Sequence, residues 1–331
     1  MTMEYRHIAG TDLKLSVITF GSWAAGSWMW GKTDRNDAIA AIRAACDLGV
    51  TSIDTAPVYG QGDSENIVGE AISGISRDKV QILTKFGLRW DAPEGKGKFF
   101  FKSQDNDGKP IDIVRYAGKE SVIAECEASL KRLKTDYIDL YQIHWPDKST
   151  PMEETFDAVG RLIEQGKVRY AGVSNYTAAQ MAEAEKILPI VSNQIPFSMI
   201  NRGIEAETVP YCIEHNKAIL AYSPLERGVL TGKIKPGHVF AEGDHRADYR
   251  FYTDENLVKI NAFLEKLKPL AEAKNATLAQ LVLRWTIDRP GITIALAGAR
   301  NAAQATANAH AVDIALDPDE IAFIDENLPE I

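Results

Sequence analysis

Residues 137–166, YIDLYQIHWPDKSTPMEETFDAVGRLIEQG, contain one complete strand–loop–helix unit. The apolar run ends at His144, and an amphipathic stretch opens with Pro151 and closes with Gly166. Proline's fixed φ and missing N–H are harmless in a first helical turn, whereas glycine adopts the left-handed turn that ends a helix. The unit recurs almost from end to end. Apolar, β-branched runs end near Phe20, Asp54, Lys85, His144, Ser174, Gln194, Tyr222 and Gly298. Between them, DRNDAIAAIRAACDLG (34–49) has Asp34 as an N-cap and Gly49 as a stop. KESVIAECEASLKRL (119–133) puts Val122, Cys126, Leu130 and Leu133 on one stripe. TAAQMAEAEKIL (177–188), AETVPYCIEHN (206–216) and TLAQLVLRWTIDRPG (277–291) continue the alternation.

About eight strand–helix units in this length predict an α/β chain folded as one (β/α)8 TIM barrel. A single domain is expected over residues 1–331, with two extra helices and long loops on its catalytic face. The rival, a doubly wound open sheet, usually carries a G-x-G-x-x-G turn after an early strand. FGSWAAGSWMWG (20–31) lacks that order, and GQGDSENIVG (60–69) has only its first two glycines in place. Three segments exceed the minimal unit: an N-terminal β-hairpin over residues 6–16, turning near Gly10-Thr11-Asp12, and long loops at 88–118 and 226–253. Both loops come after strands and belong on the catalytic face, and loops this long in a compact domain are usually functional or mobile.

The bulk composition excludes several partners. The 331 residues are 45% hydrophobic and 25% charged, with 37 basic against 46 acidic residues and a net charge of −9. No basic run or basic amphipathic helix appears, so nucleic acid and anionic membrane are not expected partners. Cys46, Cys126 and Cys212 are widely spaced and form no CxxC or Cys/His metal pattern, which reads as reduced, buried thiols. MTMEYRHIAG has no apolar signal core, and no stretch reaches membrane-span length. A cytoplasmic location is expected.

Four polar residues stand at the mouths of these strands: Asp54 and Tyr59 in SIDTAPVYG, Lys85 in VQILTKFG, and His144 in YQIHWP. Singly, each has a structural explanation as a cap, a turn aromatic, one half of an ion pair or a satisfied core histidine. In a parallel barrel, however, they converge on one face. A phenol near pKa 10 is a poor acid at neutral pH, and a nearby ammonium lowers that value while a carboxylate holds the ammonium in place. A histidine orients a carbonyl. Such a site protonates an alkoxide and lacks only a source of hydride, which points to a nicotinamide cofactor.

Six segments carry a resemblance to the aldo-keto reductases across essentially the whole chain: FGSWAAGSWMWG, SIDTAPVYGQGDSENIVGEAI, LKRLKTDYIDLYQIHWPD, GKVRYAGVSNY, AYSPLERGVLTGK and IALAGARNAAQ. The chain is most similar to the bacterial stress-protein-like and inositol-operon-like members. The resemblance implies a barrel that binds extended NADP(H) at its carboxyl face. It matches Tyr59 to the general acid, Lys85 and Asp54 to its tuning pair and His144 to the substrate-orienting residue. Gly21, Ser22, Trp23 and Asp54 fall at cofactor-contacting positions. Ser174, Asn175 and Gln194 match the carboxamide contacts, and Tyr222 matches the ring that stacks on nicotinamide. Ser223, Leu225, Arg227, Gly228 and Lys233 fall where the family clasps the pyrophosphate. Near the adenosine end, Gly298 precedes Arg300, which matches a cation on the 2′-phosphate, while Gln304 and Asn308 match adenine-side contacts. Two departures stand out: Ala307 occupies a frequent glutamate position, and uncharged Gln304 replaces a frequent second cation. The resemblance therefore implies NADPH as the preferred cofactor, with NADH as an alternative and no metal.

Trp23, Trp30, Trp90, His144 and Trp145 are the expected substrate-pocket residues, with Phe101 in the first long loop as a further aromatic. Aromatic walls suit flat apolar faces, including the CH faces of sugars. The expected reaction is reversible reduction of an aldehyde or ketone, sugars and keto-sugars included. The alternatives are a slow or non-catalytic NADP(H) sensor resembling potassium-channel β subunits, and a metal-dependent hydrolase, for which the scattered histidines offer no ligand spacing.

Overall fold

The computed structural model describes residues 2–240 and 244–331. Eight parallel strands close into a barrel in simple sequential order. They are Ile18–Gly21, Ser52–Asp54, Gln81–Phe86, Ile138–Ile143, Val168–Ser174, Ile190–Pro196, Ala218–Tyr222 and Ile292–Gly298. Each sequence run ends within two residues of its observed strand. Helices return the chain between strands: Arg35–Asp47, Asp63–Ala71, Lys119–Leu133, Met152–Glu164, Ala178–Glu185, Thr208–Glu214 and Leu278–Asp288, with Ala302–Ala309 after the last strand. Asp34 caps its helix as expected, its side chain accepting from the amides of Asn36 and Asp37. Asp254–Ala273 and Pro318–Glu326 are the two helices beyond the minimal barrel.

The N-terminal strands Tyr5–His7 and Lys14–Ser16 pair antiparallel, forming the expected hairpin. Its side chains Ile8, Leu13 and Leu15 pack against Leu83, Leu140, Leu220 and Ile294, which belong to four barrel strands. The hairpin thus plugs the amino-terminal end of the barrel with apolar side chains. Each fully buried one contributes about 1.5–3 kcal/mol. With that end closed, the strands' carboxyl ends form the open face.

The segment 88–118, expected as a loop, is mostly a small sheet. Lys98–Gln104 and Pro110–Arg115 form an antiparallel pair, joined at its edge by Leu88–Arg89. Asp105-Asn106-Asp107-Gly108 makes the turn, with Gly108 at φ +80 and the Asp105 carboxylate accepting from the amides of Asp107 and Lys109. The second long loop contains short 3-10 turns at Glu226–Thr231 and Arg250–Tyr252. The part of it at 241–243 lies outside the described residues. No helix among the described residues is long and apolar enough to cross a membrane.

Candidate active site

The expected tetrad is assembled at the open face. Lys85, fully buried, donates to Asp54 Oδ1 at 2.6 Å and to the Thr55 carbonyl at 2.9 Å. Gln194 Nε2 donates to the other Asp54 oxygen at 2.7 Å. Tyr59 lies above this pair, with the Lys85 ammonium 5.1 Å from its ring centroid. The His144 ring meets Tyr59 edge-on at 5.7 Å. The second, third and fourth strands thus each deliver one element of the group.

The electrostatics correct one expectation, that Lys85 lowers the Tyr59 pKa. Burial instead raises the phenol well above its ordinary value, and the negative charge of Asp54 acts in the same direction. The loss of water around the phenol outweighs the help that the Lys85 ammonium, 5.1 Å from the ring centroid and paired with Asp54, gives its phenolate. Burial also pushes Asp54 up and Lys85 down, each opposed by the other's charge. His144 is driven well below its usual range by burial and then by the Lys85 charge, so its imidazole is neutral at physiological pH. A neutral imidazole and a protonated phenol are two hydrogen-bond donors facing one cavity.

That cavity, about 790 Å³, runs from the aromatic residues above Tyr59 to the start of the helix Ala302–Ala309. All the expected cofactor positions line it: Gly21, Ser22, Trp23, Asp54, Ser174, Asn175, Gln194, Tyr222, Ser223, Leu225, Arg227, Gly228, Lys233, Gly298, Arg300, Gln304 and Asn308. Several are held by one another. Tyr222 donates to Asn175 Oδ1 at 2.9 Å, Asn175 Nδ2 donates to the His144 carbonyl at 3.0 Å, and Ser174 Oγ donates to the Gln194 carbonyl at 2.8 Å. The turn after Tyr222 is strained: Ser223, Glu226 and Arg227 all have positive φ. Left-handed non-glycine residues cost about 1–2 kcal/mol each and persist where the surroundings demand them. Buried Glu226 supplies that demand, accepting from Ser198 Oγ at 3.0 Å and from the Tyr249 hydroxyl at 3.1 Å.

The profile of the Aldo/keto reductase family matches residues 17–328. The chain belongs to the aldo-keto reductase family. It is 39% identical to Aldo-keto reductase YhdN of Bacillus subtilis over 91% of this chain and 86% of that one. It is 35% identical to the NADH-specific methylglyoxal reductase of Escherichia coli over 92% of each. Among solved structures, the glycerol dehydrogenase AKR11B4 from Gluconobacter oxydans superposes with a TM-score of 0.86 at 35% identity, covering 99% of this chain and 96% of that one. Aldo-keto reductases use nicotinamide cofactors, and reduction of small-molecule carbonyls is the general chemistry that fits this member.

The cavity of this aldo-keto reductase fits such an anionic cofactor. The Arg227 side chain lines it with no hydrogen-bond or ion-pair partner among the described residues, and its Nε is buried and unmatched. Its guanidinium lies 3.9 Å over the Tyr249 ring and 5.7 Å from that of Trp23. Arg300 has no carboxylate within ion-pair distance among the described residues. Its guanidinium instead donates to the Trp30 carbonyl. Unpaired cations in a partly buried cleft are donors in search of a phosphate.

Trp23, Trp30, His144 and Trp145 line the cavity as expected, but Trp90 does not. Trp90 comes after the short strand Leu88–Arg89 and packs, partly buried, against the cluster that contains Trp28, Tyr59, Leu88 and Ile113. Trp28, Met29, Leu88 and Phe100 line it without having been expected, as do His245 and Arg246. His245 lies 4.9 Å from both the Trp23 and Trp30 rings, and burial lowers its pKa to about 4. No local sequence pattern marks these contacts, because His245 and Arg246 reach the first loop from more than two hundred positions away. For Phe100 a signal existed: KFFFKSQ followed by DNDG is a strand-and-turn signature.

Proposed function

We propose that this aldo-keto reductase reduces an aldehyde or ketone to the alcohol with NADPH as its preferred cofactor, Tyr59 acting as general acid. The observation that carries this is the pairing of a protonated Tyr59 with a neutral His144 above the buried Lys85–Asp54 pair, in a cavity continuous with Arg227 and Arg300.

The nicotinamide, when bound, supplies the hydride equivalent to the carbonyl carbon. His144 donates a hydrogen bond to the carbonyl oxygen and polarises it. As negative charge grows on that oxygen, Tyr59 transfers its phenolic proton there, so the C=O π bond is replaced by C–H and O–H bonds. The phenolate left behind is stabilised by the Lys85 ammonium, 5.1 Å from the ring centroid, and regains its proton from solvent. Asp54, fixed by Lys85 and Gln194, keeps that ammonium charged and in place. Ser174, Asn175 and Gln194 offer amide and hydroxyl groups to the carboxamide, and Tyr222 offers a ring face to the nicotinamide. Arg227 and Lys233 hold the pyrophosphate.

The preference for NADPH rests on Arg300, since neighbouring Arg246 is already paired with Asp244 at 2.6 Å. NADH use is the alternative, because Gln304 and Ala307 bring no charge. The test monitors loss of cofactor absorbance with NADPH and NADH against a panel of aldehydes and ketones. Turnover with at least about tenfold higher kcat/KM for NADPH is expected. Tight cofactor binding without turnover on any carbonyl would favour the sensor alternative.

A further inference from the structure

We propose that the inserted sheet makes this enzyme selective for bulky, flat, aromatic carbonyl compounds over short polyhydroxylated ones, with Phe100 and Phe101 as the specificity-determining residues. This rests on the carbonyl-reductase function proposed above.

The inserted strand Lys98–Gln104 breaks its pairing register between Phe99 and Phe101. In a regular strand, successive side chains alternate faces, so two neighbouring phenylalanines point opposite ways. A bulge adds a residue and re-aims the side chains beyond it. Here it brings both Phe100 and Phe101 to the cavity, while Phe99 is left 53% exposed. The Phe101 ring lies 6.2 Å from Trp28 with 24° between planes, and Phe100 lies 5.2 Å from Trp145. On the other side of Tyr59, Trp23 stacks on the phenol at 5.8 Å and 21°. Flat faces thus flank the reacting groups on several sides.

The sheet is anchored as a wall. Trp28 Nε1 donates to Ser103 Oγ and to the Gln104 carbonyl, both at 3.0 Å. Asn106 Nδ2 donates to the Gly26 carbonyl at 3.2 Å and to Asp63 Oδ2 at 3.0 Å. These bonds tie the turn of the insertion to the first loop and to the helix after the second strand. They also consume the indole N–H of Trp28, which would otherwise be a donor for a substrate hydroxyl.

The insertion itself adds little polar chemistry at this end. Among the described residues, the insertion's Asp91, Lys98, Asp105 and Asp107 do not line the cavity. Tyr59 and His144 serve the carbonyl oxygen itself. A fused ring would meet aromatic surface on several sides, whereas the several hydroxyls of a polyol would find few partners, chiefly the unmatched indole N–H groups of Trp23 and Trp30 and the His245 ring.

The test compares kcat/KM for 2-naphthaldehyde and glyceraldehyde with NADPH, in the wild-type enzyme and in a Phe100→Ala/Phe101→Ala variant whose thermal unfolding is also measured. The wild type is expected to favour naphthaldehyde by about a hundredfold, and the variant to lose about tenfold or more of that activity. Glyceraldehyde turnover is expected to fall less, so that the ratio of the two kcat/KM values drops by about fivefold or more. Phe101→Leu, which keeps apolar bulk without the flat face, is expected between the two. Preference for glyceraldehyde in the wild type, or equal loss for both substrates in a variant that still folds, would overturn the proposal. Binding of 2-naphthalenemethanol, read by tryptophan fluorescence, separates the two levels of inference. Absence of turnover on every carbonyl with naphthyl binding that needs Phe100 and Phe101 defeats the reductase function alone. Absence of naphthyl binding defeats the aromatic slot.

Discussion

Replacing Lys85 with methionine probes the buried pair on which the site is built. Lys85→Met keeps similar volume but removes the ammonium that donates to Asp54 at 2.6 Å, leaving Gln194 as the remaining donor at 2.7 Å. Burial already pushes Asp54 upward, and without the counter-charge its carboxyl takes up a proton. The cost of that proton sets the magnitude. Against an unfolded aspartate near pKa 3.9, protonation at pH 7 costs about 4 kcal/mol, and at pH 5 about 1.5 kcal/mol. The first figure agrees with the roughly 3–5 kcal/mol typical of breaking a buried pair from one side. The sign comes from the raised folded pKa: the folded state holds the extra proton, so the variant gains relative stability as pH falls toward the unfolded pKa. Equilibrium urea unfolding of wild type and Lys85→Met at pH 5 and pH 7, without cofactor, measures the difference. Adding Asp54→Asn to Lys85→Met is expected to remove the pH dependence and recover much of the loss. A destabilisation below about 1 kcal/mol, or one that does not change between these pH values, would refute the account of the pair.

The geometry carries three more expectations. Because Tyr59 is raised well above its usual pKa and His144 is held well below its own, kcat/KM for reduction is expected to be flat between about pH 6 and 8. An inflection near the ordinary imidazole value that disappears in His144→Gln would contradict the neutral histidine. Arg300→Ala is expected to raise the Kd of NADPH by about 10- to 100-fold and that of NADH by no more than about twofold, measured by fluorescence titration. Equal weakening of both cofactors would remove Arg300 from the 2′-phosphate. Trp28→Phe, which loses the two 3.0 Å bonds to Ser103 and Gln104, is expected to cost about 1–2 kcal/mol of stability and to speed amide exchange at 98–115. Unchanged exchange there would mean that the sheet is held by other contacts.

The barrel was legible in the chain because parallel strands buried on both faces read as continuous apolar runs, and because most of the runs stop at a polar residue that apolar burial does not explain. Asp54, Lys85 and His144 are such stops, and the helix between Pro151 and Gly166 shows the same grammar. The cofactor positions were legible through a resemblance of motifs, which reach from one end of the barrel rim to the other. What was not legible depended on distance along the chain. The 88–118 segment forms a sheet whose first strand has only two residues, too short to carry a period. Trp90 was expected in the pocket because it comes after a strand, yet only folding decides that Trp28 and Phe100 face inward instead. The raised pKa of Tyr59 was not legible because the sequence shows that Lys85 pairs with Asp54 but not how deeply the phenol is buried beside them.

The central claim is that Tyr59 supplies the proton while the cofactor is held elsewhere in the cavity. Tyr59→Phe keeps the ring that stacks on Trp23 and removes only the hydroxyl. Single-turnover reduction and NADPH titration on the same variant test the claim most directly. The hydride-transfer step is expected to slow by about 10²- to 10⁴-fold, with NADPH affinity within about twofold of wild type. A turnover rate within about tenfold of wild type, or a parallel loss of cofactor affinity, would contradict it.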